Sequence, residues 1–185
     1  MMKSILFLEI GRPPVSMHSL QQCCKSLHRA SNINDAKGFI SIVDAVVMHV
    51  PSETMHDVQS TIAGMRRLPT MWLCSESTMP KEMEWGFTLD GVLFSSMNSL
   101  EMSVALKWGS RVFQQRKRWA AEREQLMQRI EERKWIDQAK AVLCEIKGIT
   151  EAEAYDFLRK QAMNERKRIG DISASIVKVY QLIHG

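Results

Sequence analysis

The sequence predicts an α/β chain: a doubly wound parallel sheet, then a long helix, then a C-terminal bundle of three short helices. Three observations predict this order. Short, continuous apolar runs recur through the first half with an amphipathic helix between two of them, as expected of strands buried on both faces and joined by helical crossovers. From Asn98 to about Ile146 there is no proline and the only glycine is Gly109, so a helix can run with little interruption. In the last third, apolar residues recur at three- and four-residue steps between recognisable cap signals.

The strand segments are Ser4–Ile10, Asp44–Val50, Thr70–Cys74 and Gly91–Phe94, each of strand length and rich in Val, Ile, Leu and Phe. A further strand is expected around Lys25–Ala30. Between the second and third runs, Ser52–Leu68 carries Met55, Val58, Ile62 and Met65 at helical spacing, with Ser52 as the expected N-cap and Glu53 in the first turn. Val15–Val43, with its turn cluster Asn32-Ile33-Asn34-Asp35, leaves room only for a small second strand and helix. Doubly wound sheets bind ligands at the carboxyl ends of their strands. Here the first strand runs into Glu9-Ile10-Gly11-Arg12-Pro13-Pro14, where two prolines lack the N–H donors a phosphate loop needs, which argues against a nucleotide site.

The long helix contains a seam at alternating three- and four-residue steps through Ala105, Trp108, Val112, Gln115, Trp119, Glu122, Leu126 and Arg129. Its large apolar members favour coiled-coil association as a parallel homodimer; the alternative is a lone helix packed on its own domain. Trp108 and Trp119, eleven residues apart, share a face and need a cover. The run Arg116-Lys117-Arg118 reads as a solvated face.

The bundle opens with Arg133–Ile146, where Ile136, Ala139, Val142 or Leu143, and Ile146 make one stripe, and Lys147-Gly148 supplies the cation and glycine of a helix end. Thr150-Glu151-Ala152-Glu153 is a capping box, opening a helix with Ala154, Phe157, Leu158 and Ala162 inward. Ile169–Ile183 carries Ile172, Ile176, Val179 and Ile183 at helical period. Helices this short must pack together to be stable.

Composition places the chain among folded globular proteins: 185 residues, 45% hydrophobic, 25% charged, with 9 Gly and 5 Pro. No apolar run reaches the roughly 18–20 residues of a membrane span, and the N-terminal run is a poor signal peptide. Cys23, Cys24, Cys74 and Cys144 lack metal or disulfide spacing, which fits free thiols in a reducing cytoplasm. The net charge of +4 is unevenly shared. Residues 1–106 hold 8 Lys/Arg against 10 Asp/Glu, whereas residues 107–185 hold 17 against 11. A basic second part points to a polyanion or an acidic surface, or to a solvated helical face.

The strand pattern over residues 1–105 resembles the receiver domain of bacterial response regulators, a flavodoxin-like fold with a phosphorylated aspartate at the end of strand three. The resemblance places His49 in Asp44-Ala45-Val46-Val47-Met48-His49-Val50-Pro51 where that aspartate would stand. It leaves Glu9 alone of the acidic pair that holds Mg²⁺, puts Cys74, beside Ser75, at the switch hydroxyl, and aligns Ser95 with the lysine after strand five. Aspartyl phosphorylation needs a carboxylate nucleophile, a hard cation held by carboxylates, and a cation for the phosphoryl oxygens. None is assembled by Glu9, His49, Cys74 and Ser95, so this is a pseudo-receiver with a degenerate phosphorylation site, and His49 is a packed or hydrogen-bonded histidine.

A second resemblance rests on Arg133-Lys134-Trp135-Ile136-Asp137-Gln138-Ala139-Lys140-Ala141-Val142-Leu143-Cys144, Gly148-Ile149-Thr150-Glu151-Ala152-Glu153-Ala154-Tyr155, Leu158-Arg159, Ala162-Met163-Asn164 and Arg168-Ile169-Gly170-Asp171-Ile172. Over about residues 122–183 this is similar to the ANTAR domain, the RNA-binding output domain of antiterminators of the amidase- and nitrate-regulator type. Ala141, where the family commonly has glycine, and Cys144, at a usual methionine position, depart from it without disturbing a bundle core. The resemblance implies binding of leader-RNA stem-loops that favours an antiterminator over a terminator hairpin. It also implies that members with degenerate receivers are held inactive by a ligand-sensing partner protein.

Residue chemistry agrees with that implication. Lys134, Lys140, Arg159, Lys160, Arg166, Lys167 and Arg168 supply cations, with Tyr155 among them. RNA loops are bound by cations on phosphates and by flat side chains stacked on splayed bases. Lys140 and Arg159 match the family motif. Arg166, Lys167 and Arg168 either contact RNA or solubilise a turn, and Tyr155 either stacks or is a core residue with its hydroxyl at the rim. Ala139, Leu158, Ala162, Met163, Ile169 and Ile172 are assigned to packing.

The expected organisation is a pseudo-receiver over 1–105, a coiled-coil linker helix over 106–126 with its dimer seam at Trp108, Val112, Gln115, Trp119 and Leu126, and an RNA-binding domain over 122–185. The expected function is a non-catalytic, cytoplasmic antitermination regulator without cofactor or metal, controlled by dimerisation or a partner protein. The competing reading is a protein-interaction adaptor whose basic helices dock an acidic partner without RNA. An enzyme is disfavoured, because His18, His28, His49, His56 and His184 form no metal-ligand spacing with the cysteines.

Overall fold

The computed structural model describes residues 2–13, 15–80 and 89–184, so Pro14 of the proline pair lies outside the described residues. In chain order the elements are β1 (Met2–Glu9), α1 (His18–Gln22), β2 (Cys24–Ala30), α2 (Ile33–Phe39), β3 (Ala45–His49), α3 (Ser52–Met65), β4 (Thr70–Cys74), a 3₁₀ turn (Glu76–Thr78), β5 (Gly91–Phe94), α4 (Ser99–Lys147), α5 (Glu151–Glu165) and α6 (Ile169–His184). The chain divides into two compact units, residues 1–117 and 118–185.

In the first unit all strand pairs are parallel, in the order β2-β1-β3-β4-β5. The sequence reverses direction at β1/β3, the switch-point topology of doubly wound sheets. Period-two alternation explains the unbroken apolar runs. Leu6, Leu8, Val46, Met48 and Trp72 pack on one face with Met55 and Ile62 of α3. Ile5, Phe7, Ala45, Val47, Met71 and Leu73 pack on the other with Leu20 of α1 and Met102 and Leu106 of α4. Both faces are covered, so a polar strand side chain is costly there unless it is hydrogen-bonded, and Ser4 Oγ of β1 is buried without a hydrogen-bond partner among the described residues. The helices on either side of β2 are short, α1 with five residues and α2 with seven, but β2 itself has seven residues and is not the small strand expected, because it pairs along β1 from Met2 to Leu8. The Asn32–Asp35 cluster serves as a helix start, with the Asn32 side chain accepting the Asp35 N–H at 2.9 Å.

One local expectation is corrected. Ser52 is the first residue of α3 and not its cap; the flanking residue is Pro51, which offers no side-chain oxygen, and Ser52 Oγ donates instead to Glu53 Oε1 at 2.9 Å. Proline already fixes the extended backbone that precedes a helix, so the turn forms without the cap hydrogen bond.

The segment from Asn98 onward forms a single helix of 49 residues. Asn98 Oδ1 accepts from the N–H groups of Leu100 and Glu101 at 2.9 and 3.0 Å, and Glu101 Oε2 accepts from Asn98 N at 2.9 Å, a reciprocal cap. Within the first unit α4 is anchored by a buried ion pair, Arg116 Nη2 to Asp90 Oδ1 at 2.8 Å. The second unit closes over Ala139, Leu143, Ala154, Leu158, Ala162, Ile172 and Val177.

Candidate nucleic-acid interface

The second unit is built so that one side of α5 is fixed and the other is free. Thr150 Oγ1 accepts the Glu153 N–H at 3.3 Å while Glu153 Oε2 accepts from Thr150 N at 2.9 Å, the expected capping box. These bonds hold the Glu153 carboxyl below the usual carboxylate range. Ala154, Leu158 and Ala162, four residues apart, are buried against the rest of the unit. Phe157 lies beside them, with Lys147 Nζ 3.8 Å from its ring centroid. That cation–π contact joins the helix-end cation of α4 to the ring of Phe157.

The exposed residues of α5 include Tyr155, Arg159, Lys160 and Met163. Tyr155 is exposed, so it is not a core residue here. Met163, expected in the packing, is 69% exposed, because the buried row is Leu158 and Ala162 and a residue one position past Ala162 turns away from it. Val179 and Ile183 are exposed as well; they line an open apolar groove with Val142, Ile146 and Ile176, so the stripe on α6 is only partly inward.

The eight candidate cations and aromatics differ in how far they are already engaged. Lys140 Nζ pairs with Asp137 Oδ1 at 2.9 Å and Glu151 Oε2 at 3.4 Å, which pushes its ammonium pKa up, mainly through Asp137. Lys167 Nζ pairs with Glu165 at 2.9 Å. Lys134, Arg159, Lys160, Arg166 and Arg168 are exposed and form no ion pair among the described residues. Arg159 and Lys160 thus stand with Tyr155 on one helix, Arg166–Arg168 follow at its C-terminal end, and Lys134 and Lys140 lie on α4.

Along α4 the seam residues Trp108, Gln115, Trp119 and Leu126 are exposed and Val112 is half-buried. Both tryptophans are more than 60% exposed. Ile130 is exposed as well, next to Arg129 of the seam. Trp108, Trp119 and Ile130 are separated by eleven residues, as are Val104, Gln115 and Leu126. An eleven-residue repeat gives 3.67 residues per turn, close to a straight helix.

At the carboxyl ends of the strands, His49 is buried, stacks on Phe7, and places Nδ1 3.2 Å from Glu9 Oε1; Arg29 Nη2 takes the other oxygen at 3.2 Å. Cys74 is buried, and burial pushes its thiol pKa up, away from a thiolate. Ser95 N donates to Cys74 O at 2.9 Å, so the backbone brings these two residues together. Among the described residues no group of three His, Cys, Asp or Glu side chains is placed to hold a metal ion.

No curated protein matches the chain. The family model of the ANTAR domain matches residues 124–177, from the middle of α4 through α5 to Val177 of α6. Within the second unit, residues 124–177 thus match the ANTAR domain, a family known for RNA-binding antitermination modules.

Proposed function

We propose that the chain is an antitermination regulator that binds leader-RNA stem-loops and so prevents a terminator hairpin from forming. The observation that carries this reading is the exposed part of α5: Tyr155, Arg159 and Lys160 are exposed within the ANTAR match and the two cations form no ion pair among the described residues. Phosphates are met by such cations and splayed bases by the ring and guanidinium planes. Of the set Lys134, Lys140, Tyr155, Arg159, Lys160, Arg166, Lys167 and Arg168, those without an ion pair carry the larger share, because a lysine already paired must first surrender its carboxylates.

Residues 1–105 act as a pseudo-receiver and α4 as the linker and pairing helix. Control comes through dimerisation or a partner protein and not through aspartyl phosphorylation, since Glu9 is engaged by His49 and Arg29 and the described residues hold no carboxylate cage for a metal. Two copies pair in parallel through the exposed row Trp108, Gln115, Trp119, Leu126 and Ile130, with Val112 at its edge. A partner that binds free and RNA-competent forms with different affinity suffices to shift their populations. No helix of the described residues is long and apolar enough to cross a membrane, and the regulator acts without catalysing a reaction, in the cytoplasm.

The test is run-off transcription on a template that carries the leader and terminator next to the protein's own gene. Added protein raises read-through of the terminator, and Arg159→Ala abolishes the rise. Unchanged read-through, with the basic helices instead capturing an acidic partner, selects the adaptor reading.

A further inference from the structure

Two helices of the second unit end in the same backbone geometry on different residues. α4 ends at Gly148, φ +64°, whose N–H returns to Cys144 O at 2.9 Å. α5 ends at Arg166, φ +53°, with Arg166 N donating to Met163 O at 3.3 Å and Lys167 N to Ala162 O at 3.0 Å. The left-handed conformation is free for glycine and costs a residue that carries a Cβ. An arginine kept in that position, when the same unit uses glycine for the same turn, is held against stability and marks a use for its side chain. The helix dipole does not explain it, because a cation anywhere in the last turn gains from the dipole without left-handed backbone.

Arg166 is exposed and makes no ion pair among the described residues, in contrast to its neighbour Lys167. It also continues a row. Tyr155, Arg159 and Met163 are spaced by four residues on the free side of α5, and Arg166 follows three residues on. Such spacing stacks side chains one above the other on a helix. The row joins a phenol ring, two guanidinium planes and a polarisable thioether, groups that share an affinity for flat π faces.

We propose that Tyr155, Arg159, Met163 and Arg166 form one ledge on which the unpaired bases of an RNA loop stack, with Arg166 held at the helix end to close it. This rests on the RNA-binding reading above and adds to it the residues that read the loop. Solubility alone would not place a methionine in the row, and phosphate binding alone would be served by lysine.

The test uses the full-length chain, a library of short RNA hairpins with randomised loops, and the tightest member relabelled with 2-aminopurine in its loop. Arg166→Gly raises the melting temperature by a few degrees, since it relieves the left-handed turn, yet weakens binding by about fivefold or more. Met163→Ala weakens binding by a similar factor and reduces the 2-aminopurine quenching, while the slope of affinity against salt stays unchanged because no phosphate contact is lost. Arg166→Lys, which keeps the charge and loses the plane, also weakens binding. Wild-type affinity in Arg166→Gly or in Met163→Ala overturns the ledge and leaves RNA binding standing. A wild-type chain that selects no loop from the library overturns RNA recognition and the ledge together.

Discussion

His49 Nδ1 lies 3.2 Å from Glu9 Oε1, across neighbouring strands at their carboxyl ends, and Arg29 holds the other Glu9 oxygen at the same distance. β1 and β3 pair Glu9 with His49 directly in register, so the contact follows from the sheet itself. The Glu9 carboxylate is thereby engaged within the sheet by His49 on one oxygen and by Arg29 on the other. The chain accordingly takes up no phosphoryl group from a small-molecule phosphodonor with Mg²⁺, read by intact-mass spectrometry. His49→Asp alone stays unmodified, because Arg29 still occupies Glu9 and Ser95 supplies no cation. Stoichiometric phosphorylation of either protein would contradict the pseudo-receiver.

Asp90 gives the first unit a pH signature. Its side chain is buried, Oδ2 accepts from Thr70 N at 2.9 Å, and Oδ1 meets Arg116 at 2.8 Å. Burial pushes its pKa up, against the downward pull of the Thr70 N–H and of Arg116. The native state therefore binds this proton more tightly than the unfolded chain does. Its contribution is fully present below the ordinary aspartate value of roughly 3.9 and is lost as pH rises through the raised native value. Denaturant unfolding of wild type and Asp90→Asn across that window shows the wild-type advantage shrinking as pH rises. An advantage that grows with pH would mean that Arg116 outweighs burial.

Gly109 sits in the middle of a helix because there is no room for a side chain. A Cβ there would lie 3.2 Å from Met71 Sδ and 3.3 Å from the Asp90 backbone oxygen. Asp90 is fixed by its own N–H to Thr70 O at 2.8 Å and by its carboxylate partners, so the backbone oxygen does not give way. Gly109→Ala gains about 1 kcal/mol of helix propensity and loses about 1–3 kcal/mol to overpacking. The expected net result is a lower denaturation midpoint, and a higher one would show that α4 shifts freely on the sheet.

Pairing through α4 has a direct readout. The chain sediments as a dimer at micromolar concentration, and Trp108→Gln with Trp119→Gln makes it monomeric without lowering its helix content. A cysteine introduced at Gln115 cross-links to its counterpart in the second copy of a parallel, in-register pair. A monomeric wild-type chain would leave both tryptophans without the cover proposed for them.

Much of this architecture was legible in the primary structure, because burial on both faces leaves apolar runs such as Ser4–Ile10 and the Thr150/Glu153 box has a fixed spacing. The seven-residue β2 was legible only as a weak run, since an edge strand with Lys25, His28 and Arg29 exposes part of itself and loses its apolar signature. Met163 and Val179 went to the wrong side because helical period alone does not say which of two adjacent apolar rows faces the core. The Lys140–Glu151 ion pair depends on the approach of Glu151 across the turn at Gly148, and the left-handed Arg166 on a helix end that no cap residue announced. Both needed three-dimensional geometry.

The most direct test is titration of the full-length protein into labelled RNA carrying stem-loops from the transcript beside its own gene, with loop-scrambled RNA as control. Loop-dependent binding that falls by about tenfold in Arg159→Ala, and less in Lys140→Ala, whose charge is already paired, is the predicted result. Equal affinity for scrambled loops, or no binding, would contradict RNA recognition by this face.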